Sequence, residues 1–167
     1  RRVRVFQKTD THWNSRGAYI GYKTIIDALR LQVPAIPPAK PESEFDPVTR
    51  QIHGMDLAGM MGLTRVLGEE DLRLVPKAKR QYVVVEPKGN IVEAGEARIV
   101  TEIPGSTLPR AVVFRDSFTS AMAPYFSEHF SRVVYLWRND FAFEEVEKER
   151  PDVVLQEIVG RHVQWFI

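Results

Sequence analysis

The chain has 167 residues, 44% of them hydrophobic and 27% charged, with 23 Lys+Arg, 22 Asp+Glu and no cysteine, a profile that predicts one globular domain over 1–167. A formal charge of +1 gives no net field for nucleic acid or an acidic membrane, and the lack of cysteine removes thiol catalysis, thiolate metal sites and disulfides. The longest apolar runs, such as Val133 to Trp137, fall well short of the roughly 20 residues that a membrane span needs. The opening Arg1-Arg2-Val3-Arg4-Val5 has neither an initiating Met nor a leader, and it predicts a fragment or a processed product.

In chain order, Val3, Val5 and Gln7 alternate with Arg4 and Phe6, which predicts a short strand. A polar turn from Thr9 to Ser15 leads into a helix with Asn14 or Ser15 as its N-cap; Tyr19, Tyr22, Ile26 and Leu29 recur along one face at helical spacing. Pro34 stops this helix, and five prolines between Pro34 and Pro47 predict an extended surface loop over 34–47. A short helix is expected from Asp56 to Met61, closed by Gly62. After a charged passage, Tyr82 to Glu86, Ile91-Val92 and Arg98 to Ile103 read as strands of an antiparallel excursion, with the turn Pro87-Lys88-Gly89-Asn90 after the first. The last third alternates strand (Ala111 to Phe114), helix (Thr119 to His129), strand (Arg132 to Trp137), helix (Phe141 to Glu149) and strand (Asp152 to Ile158). That βαβαβ pattern predicts an α/β fold with parallel strands and helices on both sheet faces, with ligands at the carboxyl ends of the strands.

Two segments could carry chemistry. In Thr9-Asp10-Thr11-His12-Trp13-Asn14 a carboxylate and an imidazole lie two residues apart in a polar turn. An Asp that accepts the Nδ1 proton of His12 leaves Nε2 free to take a proton from a nucleophile. Capping by Asp10 or Thr11, with His12 on the surface, is the alternative. In Val113-Phe114-Arg115-Asp116-Ser117-Phe118-Thr119 the serine sits on a strand-to-helix turn, where the first amides of the new helix can face an oxyanion. Here the alternative is that Asp116 or Ser117 serves only as an N-cap. Together, Asp, His and Ser complete the acyl-transfer constellation of orienter, base and nucleophile.

At these residues the chain resembles a known family. Lys8 to Asn14 with Gly17-Ala18 resembles the Asp-x-His-Trp signature of the alginate O-acetyltransferase-like branch of the SGNH hydrolase superfamily. Ala111 to Phe118 is similar to that superfamily's Gly-Asp-Ser block, Asp56 to Leu63 to its Asp-Leu-Ala segment, and Pro151-Asp152-Val153-Val154 with Glu157 and Arg161 to its closing strand. The resemblance implies a three-layer α/β/α, flavodoxin-like, mostly parallel sheet with circularly permuted motif order, N-terminally truncated. It implies Ser117 as nucleophile, His12 as general base and Asp10 as its orienter. It further implies an exported, periplasmic or membrane-tethered protein that acetylates a polysaccharide, drawing on an acyl donor and a membrane-bound acyl-transfer partner. An acetylesterase and a non-catalytic polysaccharide-binding or assembly module are the other readings. Arg115 stands where the superfamily has glycine, and the usual Gly and Asn oxyanion blocks are not identifiable.

Trp13, Arg115 and Arg161 are the candidate substrate-binding residues, Trp13 because it adjoins His12 and Arg115 as a contact for an anionic sugar. Glu157, Arg161 and His162 could rim the cleft, although an exposed charged tail is the commoner use of such residues. His53, His129 and His162 lack metal-ligand spacing and read as surface histidines, and Met55, Met60, Met61 and Met122 read as core filler. No metal, no cofactor and no nucleotide site is expected.

Overall fold

A computed structural model describes residues 3–87 and 97–166. Its centre is a five-stranded sheet in the order β3 (Val83–Glu86), β4 (Arg98–Glu102), β6 (Arg132–Trp137), β5 (Arg110–Arg115), β7 (Val153–Gln156). Beside it lies a two-stranded antiparallel ribbon of β1 (Phe45–His53) and β2 (Gly68–Pro76). Four α-helices connect these parts: α1 (Ser15–Gln32), α2 (Asp56–Met60), α3 (Ser117–Phe126) and α4 (Phe143–Glu149).

Strand periodicity sorts the core into two layers. On one face Ile99, Ala111, Val113, Val133, Tyr135 and Val153 pack under α1 and α3, whose Ala18, Tyr22, Ile26, Met122 and Phe126 are all buried. The alternate residues Val100, Val112, Phe114, Val134 and Leu136 pack against Ala142 and Val146 at α4. The chain therefore leaves β5 through α3 on one side of the sheet and returns to β7 through α4 on the other. Such a divergence is the point at which open α/β sheets form a ligand crevice, and it falls here at the carboxyl end of β5.

The expected flavodoxin-like, mostly parallel sheet is not what the chain adopts. Among the described residues only β5–β6 and β5–β7 pair in parallel; β3–β4 and β4–β6 are antiparallel, and β1–β2 forms a separate ribbon. The sheet is mixed because β3 and β4 enter it antiparallel, a pairing that needs no crossover helix. The turn at 88–90 and the strand at Ile91-Val92 lie outside the described residues.

Several local expectations also change. The segment from Val3 to Gln7 makes one bridge, Phe6 to Trp13, and closes on its own return through Gln7 N–H to His12 O (3.1 Å) and Asn14 N–H to Val5 O (2.9 Å). The proline stretch is no free loop. Ile36 is buried, the Tyr19 hydroxyl donates to Lys40 O (2.9 Å), and Pro47 lies inside β1 opposite Leu74. A two-stranded ribbon tolerates it because alternate backbone amides point away from the partner strand. Strand β2 sits in what reads as a charged passage, since two of its inward positions are the buried carboxylates Glu69 and Asp71. His129 is buried rather than on the surface, with Nε2 2.6 Å from the Tyr22 hydroxyl, and burial pulls it down to about 4. Of the four methionines only Met122 is buried; Met55, Met60 and Met61 are exposed.

Candidate active site

Sequence places Ser117 through the end of β5. Asp116 takes an extended conformation and caps α3, its Oδ1 accepting from Phe118 N–H at 2.9 Å. Ser117 thereby becomes the first residue of the helix, at the mouth of the crevice. The same cap consumes the Phe118 amide, so of the first-turn donors expected for an oxyanion it leaves those of Ser117 and Thr119.

The Asp10–His12 turn is held from three directions. Asn14 caps α1 behind it by accepting from Arg16 N–H (3.1 Å) and Gly17 N–H (3.0 Å). Glu69 of β2, its side chain fully buried, accepts from Lys8 N–H (2.7 Å), Thr9 N–H (2.9 Å) and the Thr9 hydroxyl (2.5 Å). Burial alone would raise the Glu69 carboxyl, but these donors and the Arg4 guanidinium hold it below the usual range. Asp56, at the start of α2, accepts from Thr11 N–H (2.8 Å) and the Thr11 hydroxyl (2.6 Å). Burial opposes its ionisation too, and the Thr11 bonds win, leaving it below the ordinary carboxylate value.

These supports bring together three residues from two distant segments. Asp10 Oδ1 lies 2.6 Å from His12 Nδ1 and also accepts His12 N–H at 3.1 Å. His12 Nε2 lies 2.7 Å from Ser117 Oγ, across 105 residues of sequence. Asp10 is buried while His12 and Ser117 are half-exposed, so the carboxylate is shielded and the hydroxyl is open to a ligand. Phe118 joins the two halves. Its ring centroid lies 5.1 Å from that of His12 and 5.2 Å from that of Trp13, and its carbonyl accepts the Trp13 indole N–H at 3.1 Å.

A hydroxyl, an imidazole and a carboxylate in this order can pass a proton from Ser117 Oγ to His12 Nε2 while Asp10 steadies the charged ring. The donor atoms of Asp10, His12 and Asp56 also lie within 4.8 Å of one another. Both His12 nitrogens are already engaged, however, so a cation there would have to displace one of these hydrogen bonds.

The candidate binding residues fare differently. Trp13 is a wall of the site rather than an open stacking face, because it packs between α1 and Phe118 with its N–H used. Arg115 is fully buried, its Nη1 donating to Ser120 Oγ (2.9 Å) and its guanidinium lying 4.5 Å from the Trp137 ring centroid. It cannot reach an anionic sugar without unpacking. Burial also lowers its basicity. Arg161 is exposed on a 3-10 helix, Gly160–Phe166, that follows β7.

Glu69, Asp56 and Phe118 are supports to which the sequence reading gave no such role, and Glu157, read as a candidate rim of the cleft, instead accepts from Asp116 N–H and the Thr119 hydroxyl. Glu69 and Asp71 alternate with Glu70 and Leu72 along β2. That two-residue period was the available signal, masked because the inward residues are acidic.

No family model matches the chain, and no curated protein matches it. Among solved structures it is similar to a DHHW family protein from Eubacterium siraeum DSM 15702, with a TM-score of 0.72 at 14% identity over 92% of this chain and 58% of that one. It is also similar to Bacillus cereus PatB1 carrying a sulfonyl adduct, with a TM-score of 0.68 at 19% identity over 92% of this chain and 60% of that one. For a second PatB1 structure the values are 0.67, 20%, 92% and 61%. The chain thus spans about three-fifths of these solved chains, and at such identities the likeness is one of fold.

Proposed function

We propose that this chain carries the acyl-transfer centre of a polysaccharide O-acetyltransferase. The observation that carries the reading is the continuous hydrogen-bonded row Asp10 Oδ1, His12 Nδ1, His12 Nε2, Ser117 Oγ at 2.6 and 2.7 Å. Ser117 Oγ attacks the acetyl carbonyl of a donor and its proton passes to His12 Nε2. The tetrahedral oxyanion, facing the first-turn amides of α3, collapses and expels the donor's leaving group, which takes the proton from His12. An acceptor hydroxyl then loses its proton to His12 and attacks the acetyl-serine, restoring Ser117. Asp10 holds the ring with Nδ1 protonated and offsets the imidazolium charge in both halves.

One PatB1 structure carries a sulfonyl adduct, the product that an activated nucleophile gives, and the likeness in fold agrees with this chemistry. The family name of the Eubacterium siraeum neighbour, DHHW, spells three of the four residues Asp10-Thr11-His12-Trp13. The resemblance to the alginate O-acetyltransferase-like branch of the SGNH hydrolases supplies the acceptor class and an exported or membrane-tethered parent protein. No helix among the described residues is long and apolar enough to cross a membrane, so within this reading a membrane-bound donor is a separate chain or segment.

The test is covalent labelling followed by turnover. Phenylmethanesulfonyl fluoride should add one sulfonyl group, located by peptide mass spectrometry at Ser117. Hydrolysis of p-nitrophenyl acetate should fall about a thousandfold or more in Ser117→Ala and in His12→Ala. Acetyl transfer to an added oligosaccharide makes the protein a transferase, whereas release of acetate alone makes it an esterase. Saccharide binding without labelling or turnover would replace the enzyme by a binding module.

A further inference from the structure

A second pair of carboxyl groups lies on the side of Ser117 away from His12. The half-buried Glu157, just past β7, extends the β5–β7 pairing through its N–H to Phe114 O (2.9 Å). Its Oε2 accepts from Asp116 N–H (3.3 Å) and from the Thr119 hydroxyl (3.0 Å). Asp116 Oδ2 in turn accepts Val159 N–H at 2.7 Å, while its Oδ1 caps Phe118. The residue on each side of Ser117 and the residue two beyond it are therefore tied, directly or through Asp116, to the segment 157–159. The Asp116 carboxylate is also near enough to disfavour negative charge on Glu157.

We propose that Glu157 is a positioning residue for Ser117, its carboxyl holding the first turn of α3 by bridging the Asp116 N–H and the Thr119 hydroxyl. This rests on the acyl-transfer reading above. Desolvation comes first, then the hydrogen bond and the charge of Asp116, and together they push the Glu157 carboxyl up to about 7. The Arg115 guanidinium from β5 is the charged group that acts on both carboxyls, and the His12 imidazole stands at Ser117 Oγ. Loss of the Glu157 proton places a second negative charge beside Asp116 at the cap of α3, which loosens the turn that aims Ser117 Oγ at His12.

The experiment compares wild type, Glu157→Gln and Glu157→Ala. Glutamine keeps a neutral donor towards Asp116 and an acceptor for Thr119, so it mimics the protonated state at every pH. Wild-type kcat on p-nitrophenyl acetate should fall three- to tenfold between pH 7 and pH 9. Glu157→Gln should match wild type within about twofold at pH 6 and lose that alkaline fall. Glu157→Ala should lose ten- to a hundredfold in kcat with KM nearly unchanged. In parallel, amide NMR follows Phe118 and Val159, the two donors to the Asp116 carboxylate. Their resonances should titrate between pH 6 and 8 in wild type and not in Glu157→Gln, whether or not the protein turns over. An alkaline fall of equal size in wild type and Glu157→Gln, or amides that titrate identically in both, overturns the proposal. Absence of wild-type turnover with the NMR difference intact overturns the acyl-transfer reading instead, and leaves Glu157 as the holder of the α3 turn.

Discussion

Replacing Asp10 by asparagine separates two roles that a carboxylate can play beside a histidine. In many such arrangements the amide turns over, donates to Nδ1 and leaves the imidazole in the wrong tautomer, at a cost of about 10⁴ in rate. Here one oxygen, Oδ1, accepts both His12 N–H (3.1 Å) and Nδ1 (2.6 Å). Turning the amide would set an NH2 group against the backbone N–H of His12. The asparagine oxygen should therefore stay in place and the tautomer should survive, so that only the negative charge is lost. Opposite unit charges about 4 Å apart at an effective dielectric of 20 attract by about 4 kcal/mol. That is the stabilisation withdrawn when the ring becomes an imidazolium, and it corresponds to roughly a thousandfold in rate. Asp56 cannot replace it, because its carboxylate is 4.0 Å from Nδ1 and 41% exposed, so solvent screens it. The assay is kcat/KM on p-nitrophenyl acetate together with the rate of sulfonylation, each compared with Asp10→Ala, which also removes the acceptor for His12 N–H. We expect Asp10→Asn to lose a hundred- to a thousandfold and Asp10→Ala to lose more. A loss below tenfold in Asp10→Asn, with folding intact by thermal melt, would refute the assignment of Asp10 as the charge partner of His12.

Two further predictions concern the scaffold. Glu149 is 5% exposed and accepts from Arg132 (2.8 and 3.1 Å), Arg98 (2.9 Å) and Arg110 (3.2 Å). Hydrogen bonding from Arg132 comes first among the causes that hold its carboxyl down to about 2. A depressed carboxyl contributes stability that is present above its ordinary value of 4.5 and is lost as pH falls towards about 2. Allowing for the partial exposure of the three guanidiniums, urea denaturation should show wild type losing ~2 kcal/mol more than Glu149→Gln between pH 6 and pH 2.5; equal losses would count against the network. At Gly17 a Cβ would stand 2.2 Å from Val5 O and 2.7 Å from Trp13 Cβ. Gly17→Ala should therefore cost ~2–3 kcal/mol in urea denaturation and, by displacing the arm that ends in His12, lower kcat at least tenfold.

Local features were legible from residue order alone. The stop at Pro34, the N-cap at Asn14 or Ser15, the apolar strand Ala111 to Phe114 and the strand-to-helix turn at Ser117 rest on interactions within a few residues, so composition and spacing reveal them. The candidate site was legible for a related reason: Asp10 and His12 are neighbours, and an aspartate before a serine at a strand end has few uses. Pairing direction was another matter. The strands before β5 read as an antiparallel excursion, yet whether they joined the parallel group or stood apart depends on partners tens of residues away. Strand β2 escaped notice because its inward face carries Glu69 and Asp71, carboxylates whose burial is stabilised by donors from Arg4, Gln7, Lys8, Thr9, Arg50 and Arg73. Likewise Arg115, read as a surface contact, lies under the sheet's end beside Trp137. Nothing in its immediate sequence distinguishes a buried guanidinium from an exposed one. The sequence by itself determined which groups could do chemistry. Tertiary structure alone decided that His12 and Ser117 meet at 2.7 Å and that Glu157 turns inward, because both depend on how the two faces of the sheet are covered rather than on any local preference.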